Sequence, residues 1–349
     1  MSGNSKEELR KLQITGGSTY IVSLPKGWVE EMGLGKGSVV SVKRMDDLAL
    51  CVQPRGAGSL DEPRRAVIPV SDQISPENLT RRVISAYLIG FNVIQLRDTR
   101  KRIDSAQRFA VKDFVRKKLV GTEILSDLPK ELTLQVLLSR SELSVGDALR
   151  RMSVIAASMH RDAMGALTSD DAQLAREVVG MDDEVDRFGL YIIRLLKAAA
   201  VDPLAIKEIG LSTPRETLGY RLITKSVERM ADHAVNIAQN GLALTLSSLR
   251  EGVLGELQGL SEAAVEVFEG SIESLFDWDY ASAEGVMGRA EEIRGREAEV
   301  VQLIIKGSAP KDVPALRLIL ESIMRAAEYG ADIAEVVLNL TIEDEIHGG

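Results

Sequence analysis

One cysteine in 349 residues rules out an internal disulfide and any zinc or iron–sulfur centre built on several thiolates. That residue, Cys51, sits in an apolar strand-like stretch and reads as packed. Histidine is equally scarce. His160, His233 and His347 are scattered, which argues against a His-rich zinc site and leaves no credible Ser-His-Asp or Cys-His set. Aromatics are only 4% of the chain, so the core must be built from aliphatic side chains and alanine, a composition that suits helix packing. No apolar run approaches the roughly 20 residues that span a bilayer, and the first residues are charged rather than signal-like. The cytoplasm is therefore the expected location. What remains is ordinary for a soluble globular protein, 45% hydrophobic and 27% charged, at a length that suggests two or three domains.

Charge is unevenly spread. Residues 1–130 hold 22 Lys and Arg against 15 Asp and Glu, whereas residues 131–349 hold 21 against 37. A basic front can meet phosphate backbones, and an acidic back would be repelled by them. The two halves therefore serve different partners.

Residues 8–54 read as short strands. Lys11–Ile14 and Thr19–Leu24 flank Gly16-Gly17, a hairpin-type turn. Pro25 opens a short helix, Lys26–Met32, which Gly33 ends, and Ser38–Lys43 pairs with Leu48–Gln53. Some 45 residues of short strand are too few for a core of their own, so this module should pair with a second copy. A Gly/Pro linker, Gly56–Pro63, follows. Residues 60–140 then alternate between strand and helix as a small α/β or α+β unit. Its strands are expected at Ala66–Val70, Asn92–Leu96, Thr122–Leu125 and Leu132–Leu138, and its helices at Pro76–Ile89 and Ser105–Val120. The unit carries two basic clusters, Arg97 to Arg102 and Arg116-Lys117-Lys118. From 141 to 345 the chain is helical, with helices expected near 144–167, 169–200, 213–246, 251–276, 279–306 and 311–342. They fall into two sets of three that repeat one supersecondary unit.

The first repeat carries the acids. Asp182 and Asp186 lie in one stripe with Val179, Leu190 and Ile193, residues that should face the core. Like charges four apart destabilise a helix by about 0.2–0.5 kcal/mol, and burying them costs far more unless something compensates. Glu228 and Asp232 repeat the spacing on the third helix. Four oxygens converging from neighbouring helices suit hard cations such as iron, manganese or magnesium; zinc is a further candidate. Asp183 and Glu184 read as solvated. A ferritin-like oxidase would need Glu-x-x-His motifs, and none occurs, so His233 reads as a supporting residue rather than a ligand. Gly33-Leu34-Gly35-Lys36-Gly37-Ser38 does not meet the phosphate-loop spacing. No catalytic residue is expected.

The segments Leu24-Pro25-Lys26-Gly27-Trp28-Val29 and Met32-Gly33-Leu34-Gly35-Lys36-Gly37-Ser38-Val39-Val40 resemble the SpoVT/AbrB swapped-hairpin family. The resemblance implies an intertwined homodimer, closed as a small β-barrel, that binds double-stranded DNA through basic strand and loop residues. Arg10, Lys11, Lys26, Lys36, Lys43 and Arg44 are the candidates. The stretch Glu228-Arg229-Met230-Ala231-Asp232-His233-Ala234-Val235-Asn236-Ile237-Ala238 resembles the PhoU family. That family implies two three-helix repeats whose acidic motifs hold clusters of iron or similar metals. Carried over by position, the ligands would be Asp182, Asp186, Glu228 and Asp232. In the second repeat Ala290, Arg294 and Met324 stand where the first three fall, and Glu328 stands at the position of Asp232. One metal cluster at most is expected.

The fusion is similar to archaeal-type phosphate-uptake regulators. It implies a multidomain α+β protein that is not an enzyme: a swapped-hairpin module (8–54), a connecting α/β unit (60–140) and an all-α tandem bundle (141–345). The leading reading is a cytoplasmic DNA-binding regulator whose helical half senses a metal- or phosphate-linked signal. That half could instead dock on phosphate ABC transporter components or another signalling protein. The alternative is a PhoU-type regulator that controls a transporter after translation, with the front serving only for dimerisation. A metal store or metalloenzyme built on the carboxylates is the third reading.

Overall fold

The computed structural model describes residues 7–44, 49–54, 63–202, 205–244 and 252–347. The chain forms two units, Met1–Pro63 and Arg64–Gly349.

In the front unit β1 (Gln13–Thr15) pairs antiparallel with β2 (Thr19–Ile21), Thr15 opposite Thr19. The connection needs left-handed backbone at Gly16 and Gly17 (φ +65° and +81°), which glycine adopts without steric cost. Helix α1 (Lys26–Glu31) starts directly after Pro25, and Gly33 ends it at φ +66°. Strands β3 (Val40–Arg44) and β4 (Leu50–Pro54) form a second antiparallel pair. Asp46 and Asp47, between these strands, lie outside the described residues, as does most of the expected 56–63 linker. The expected barrel is not closed among the described residues, where two separate two-stranded sheets stand instead. The physical reason is visible at the strands. Ile14, Tyr20, Val42 and Leu50 are all about 60–70% exposed, so one copy of the module has no core against which its hairpins could close.

The second unit opens with a four-stranded sheet in the order β5-β6-β8-β7. Strand β5 (Arg65–Pro69) runs parallel to β6 (Val93–Arg97) across helix α2 (Pro76–Leu88), the crossover such a pair requires. Helix α3 (Ser105–Lys118) leads to the hairpin of β7 (Thr122–Leu128) and β8 (Glu131–Val136), antiparallel to each other, with β8 also antiparallel to β6. Leu79, Val83, Tyr87, Ile94, Leu96 and Leu134 fill the space between sheet and helices.

Six long helices follow: α4 (Val145–Ser169), α5 (Ala172–Val201), α7 (Pro214–Gly241), α8 (Val253–Asp277), α9 (Tyr280–Gly307) and α10 (Val313–His347). A single turn, α6 (Ala205–Glu208), lies between α5 and α7. The starts are encoded locally. Ser144 and Asp171 cap α4 and α5 through their side-chain oxygens, and Thr213 and Glu216 form a reciprocal capping box on α7. The triplets α4-α5-α7 and α8-α9-α10 pack mainly through α7 against α10 and α4 against α8. They share one core of alanine and aliphatic residues with Met152, Met159, Met230 and Phe268. Among the described residues no helix is long and apolar enough to cross a membrane.

Candidate functional site

The acidic stripe of α5 lies where α3 packs on it. Asp182, Asp183 and Asp186 surround a cation that comes from outside the helical bundle. The Lys118 Nζ, at the last residue of α3, is 2.6 Å from Asp183 Oδ1, 2.6 Å from Asp186 Oδ2 and 4.0 Å from Asp182 Oδ2. Asp183, expected to be solvated, is thus a principal partner of the lysine. Burial pushes the Asp182 carboxyl up to about 6, with the Asp186 carboxylate adding to the effect, and Asp182 Oδ1 is buried without a partner among the described residues. On α7, Asp232 is raised by burial first and by Glu228 second. Glu228 itself is held by Lys225 at 2.6 Å. Burial works against the charged form of Lys118, but its hydrogen bonds to Asp183 and Asp186 outweigh that and its pKa rises.

The four expected ligands therefore share one electrostatic neighbourhood: Asp182 feels Asp186 and Asp232, and Asp232 feels Glu228 and Asp186. The donors do not fit a metal as they stand. Among the described residues no three His, Cys, Asp or Glu side chains converge on one ion, and two of the aspartates already hold an ammonium group. Sequence reading missed Lys118 as a site residue. Its cluster was visible, but nothing in the sequence places α3 against α5.

A second clamp was also missed. Arg194, 8% exposed on α5, donates to the Phe91 carbonyl at 2.9 Å and to the Tyr87 carbonyl, and its guanidinium lies 4.8 Å from the Tyr87 ring centre. The available signal was an arginine inside the apolar run Tyr191-Ile192-Ile193-Arg194-Leu195-Leu196.

The repeat register also needs correction. Glu228-x-x-Ala231-Asp232 recurs as Glu328-x-x-Ala331-Asp332, one hundred residues on, so Glu328 answers Glu228 and Asp332 answers Asp232. The expected alignment was off by four residues. That is about one helical turn, which leaves the buried stripe nearly unchanged and hides the error. The Asp332 carboxyl is raised, chiefly by desolvation and then by Glu335, and Glu328 pairs with Arg325 at 2.7 Å. Ala290 and Arg294 on α9 complete no second acidic set. His233 Nε2 meets Tyr329 Oη at 3.3 Å, a link between α7 and α10.

In the front unit Arg10 and Lys11 precede β1, Lys26 opens α1, Lys36 lies in the turn before β3, and Lys43 and Arg44 end β3. All are exposed except Lys43, whose side chain lies outside the described residues. Arg10 pairs with Glu8, and Lys26 with Glu30 at 3.5 Å.

The PhoU domain model matches residues 149–241, which span α4, α5 and α7 with all four acids of the expected metal site. A second model, described as antidote-toxin recognition MazE, bacterial antitoxin, matches residues 13–59. The chain joins a MazE/AbrB-type module to a PhoU domain. A phosphate-specific transport system accessory protein PhoU homolog of Caulobacter vibrioides is 24% identical over 192 residues, 54% of this chain and 82% of that protein. The crystal structure of PhoU from Pseudomonas aeruginosa superposes with a TM-score of 0.50 at 18% identity, covering 57% of this chain and 96% of that one. At that identity the likeness speaks for the helical fold alone. A phosphate transport system regulatory protein PhoU from Streptococcus pneumoniae gives a TM-score of 0.49 at 18% identity, covering 56% of this chain and 92% of that one.

Proposed function

We propose that this protein is a homodimeric DNA-binding regulator of phosphate uptake. One observation carries the reading: a MazE/AbrB-type module and a PhoU domain occupy a single chain. The exposed strand residues of the front unit support dimerisation, because a second copy is what would give those hairpins a core and close the barrel. Arg10, Lys11, Lys26, Lys36, Lys43 and Arg44 are then doubled, and their phosphate contacts supply affinity that falls as salt rises. The acidic PhoU domain stays off the DNA and receives the signal, by docking on a phosphate transporter component or another signalling protein.

DNA binding by the full-length protein across a salt series tests this. Steep salt dependence is expected, with affinity lost in Lys26→Glu plus Lys36→Glu; binding that survives both changes removes the front module from the DNA. The alternative, a dimerisation module on a PhoU-type transporter regulator, draws on the front's modest charge. Residues 1–56 hold eight Lys and Arg against six Asp and Glu. Dimers without DNA affinity at low salt would establish it.

A further inference from the structure

The acidic face of α5 presents a physical problem that the PhoU resemblance would solve with a metal. Three partly exposed aspartates, two of them four apart on the flank of α5 that meets α3, repel one another and gain from a cation between them. The cation that the structure supplies is a side chain. An ammonium group offers three donors and no acceptor, and Lys118 places two of its bonds at 2.6 Å on two different carboxylates. It reaches the face from another layer: α3 belongs to the α/β layer around β5–β8, while α5 belongs to the helical bundle. About two turns further along α5, Arg194 holds the Tyr87 carbonyl in the last turn of α2 and the Phe91 carbonyl just beyond it. A helix C-terminus welcomes such a cation. The same helix thus receives both α2 and α3 through charged contacts, one with the lysine inbound and one with the arginine outbound.

We propose that Lys118 is the resident cation of this acidic face, taking the place of a metal and fastening the α/β layer to the PhoU domain. In this chain Asp182, Asp183 and Asp186 form an internal docking site, and the lysine excludes divalent and trivalent ions from it. Nothing in this arrangement depends on the front module, so it stands or falls apart from DNA binding.

Full-length wild type and Lys118→Met are incubated with manganese(II) or iron(III), gel-filtered and assayed for retained metal, with circular dichroism to verify folding. Wild type is expected to retain only traces. Lys118→Met, its acids released, is expected to retain stoichiometric metal that is lost again when Asp182→Asn and Asp186→Asn are added. Lys118→Arg keeps the positive charge and is expected to stay metal-free. Stoichiometric metal in wild type that depends on Asp182 and Asp186 overturns the proposal. So does a folded Lys118→Met protein that stays metal-free. If Lys118→Met does not fold, a manganese titration of wild type followed by electron paramagnetic resonance decides: an unchanged six-line aquo spectrum is expected, and its loss overturns the assignment.

Discussion

His160 is wholly buried on α4, and neither ring nitrogen has a partner among the described residues. Burial, with His233 and Arg161 adding to it, lowers its pKa from the ordinary 6.5 to about 3. The folded protein thus keeps this imidazole neutral while the unfolded chain takes up a proton below pH 6.5. Its contribution to stability is complete above pH 6.5 and is lost as pH falls toward 3. Urea unfolding at a series of pH values should show that decline. His160→Leu should flatten it and, because an unpaired polar group leaves the core, raise stability at pH 7 by about 1 kcal/mol. A variant whose pH dependence matches wild type would show that another group sets the slope. Asp182 differs in kind: it is only half-buried and lies against a cation, so its raised pKa belongs to the acidic face rather than to the core.

Helices were legible because their signals are local. Ser144, Asp171 and Thr213 cap where side-chain chemistry says they should, and each of the six long helices begins or ends within a few residues of expectation. Contacts between elements were not legible. Lys118 and Arg194 are far from their partners in sequence, and periodicity says which face is buried but not against what. Gly330 is a further example. A Cβ there would come within 2.8 Å of Val267 Cγ1 and 2.9 Å of the Phe268 backbone nitrogen, so α10 crosses α8 at a point where only glycine fits. Gly330→Ala is expected to cost about 1–3 kcal/mol through overpacking. Gly255→Ala, on α8 with open space around it, should instead gain up to about 1 kcal/mol from helix propensity. Thermal or denaturant unfolding of the two variants checks the pair; equal effects would mean that the α8–α10 crossing yields to accommodate the methyl group.

For the whole molecule, the sequence carries the division of labour more plainly than the assembly. The change from a basic front to an acidic back is visible by counting residues, and the PhoU resemblance, which runs through the helical half, is most specific in one eleven-residue stretch of α7. The barrel expected from the family resemblance does not close among the described residues of a single chain, which leaves Ile14, Tyr20, Val42 and Leu50 in water. If these residues form a dimer core, Tyr20→Asp should shift the full-length protein toward monomer in analytical ultracentrifugation and abolish DNA binding with it. A Tyr20→Asp dimer of undiminished strength would place the interface elsewhere. The most direct test of the regulatory reading is the salt dependence of DNA binding by the full-length protein, wild type against Lys26→Glu plus Lys36→Glu. A linear fall of log affinity with log salt is predicted, its slope reduced by about one for each phosphate that the variant no longer neutralises. The same slope and affinity in both proteins would contradict it.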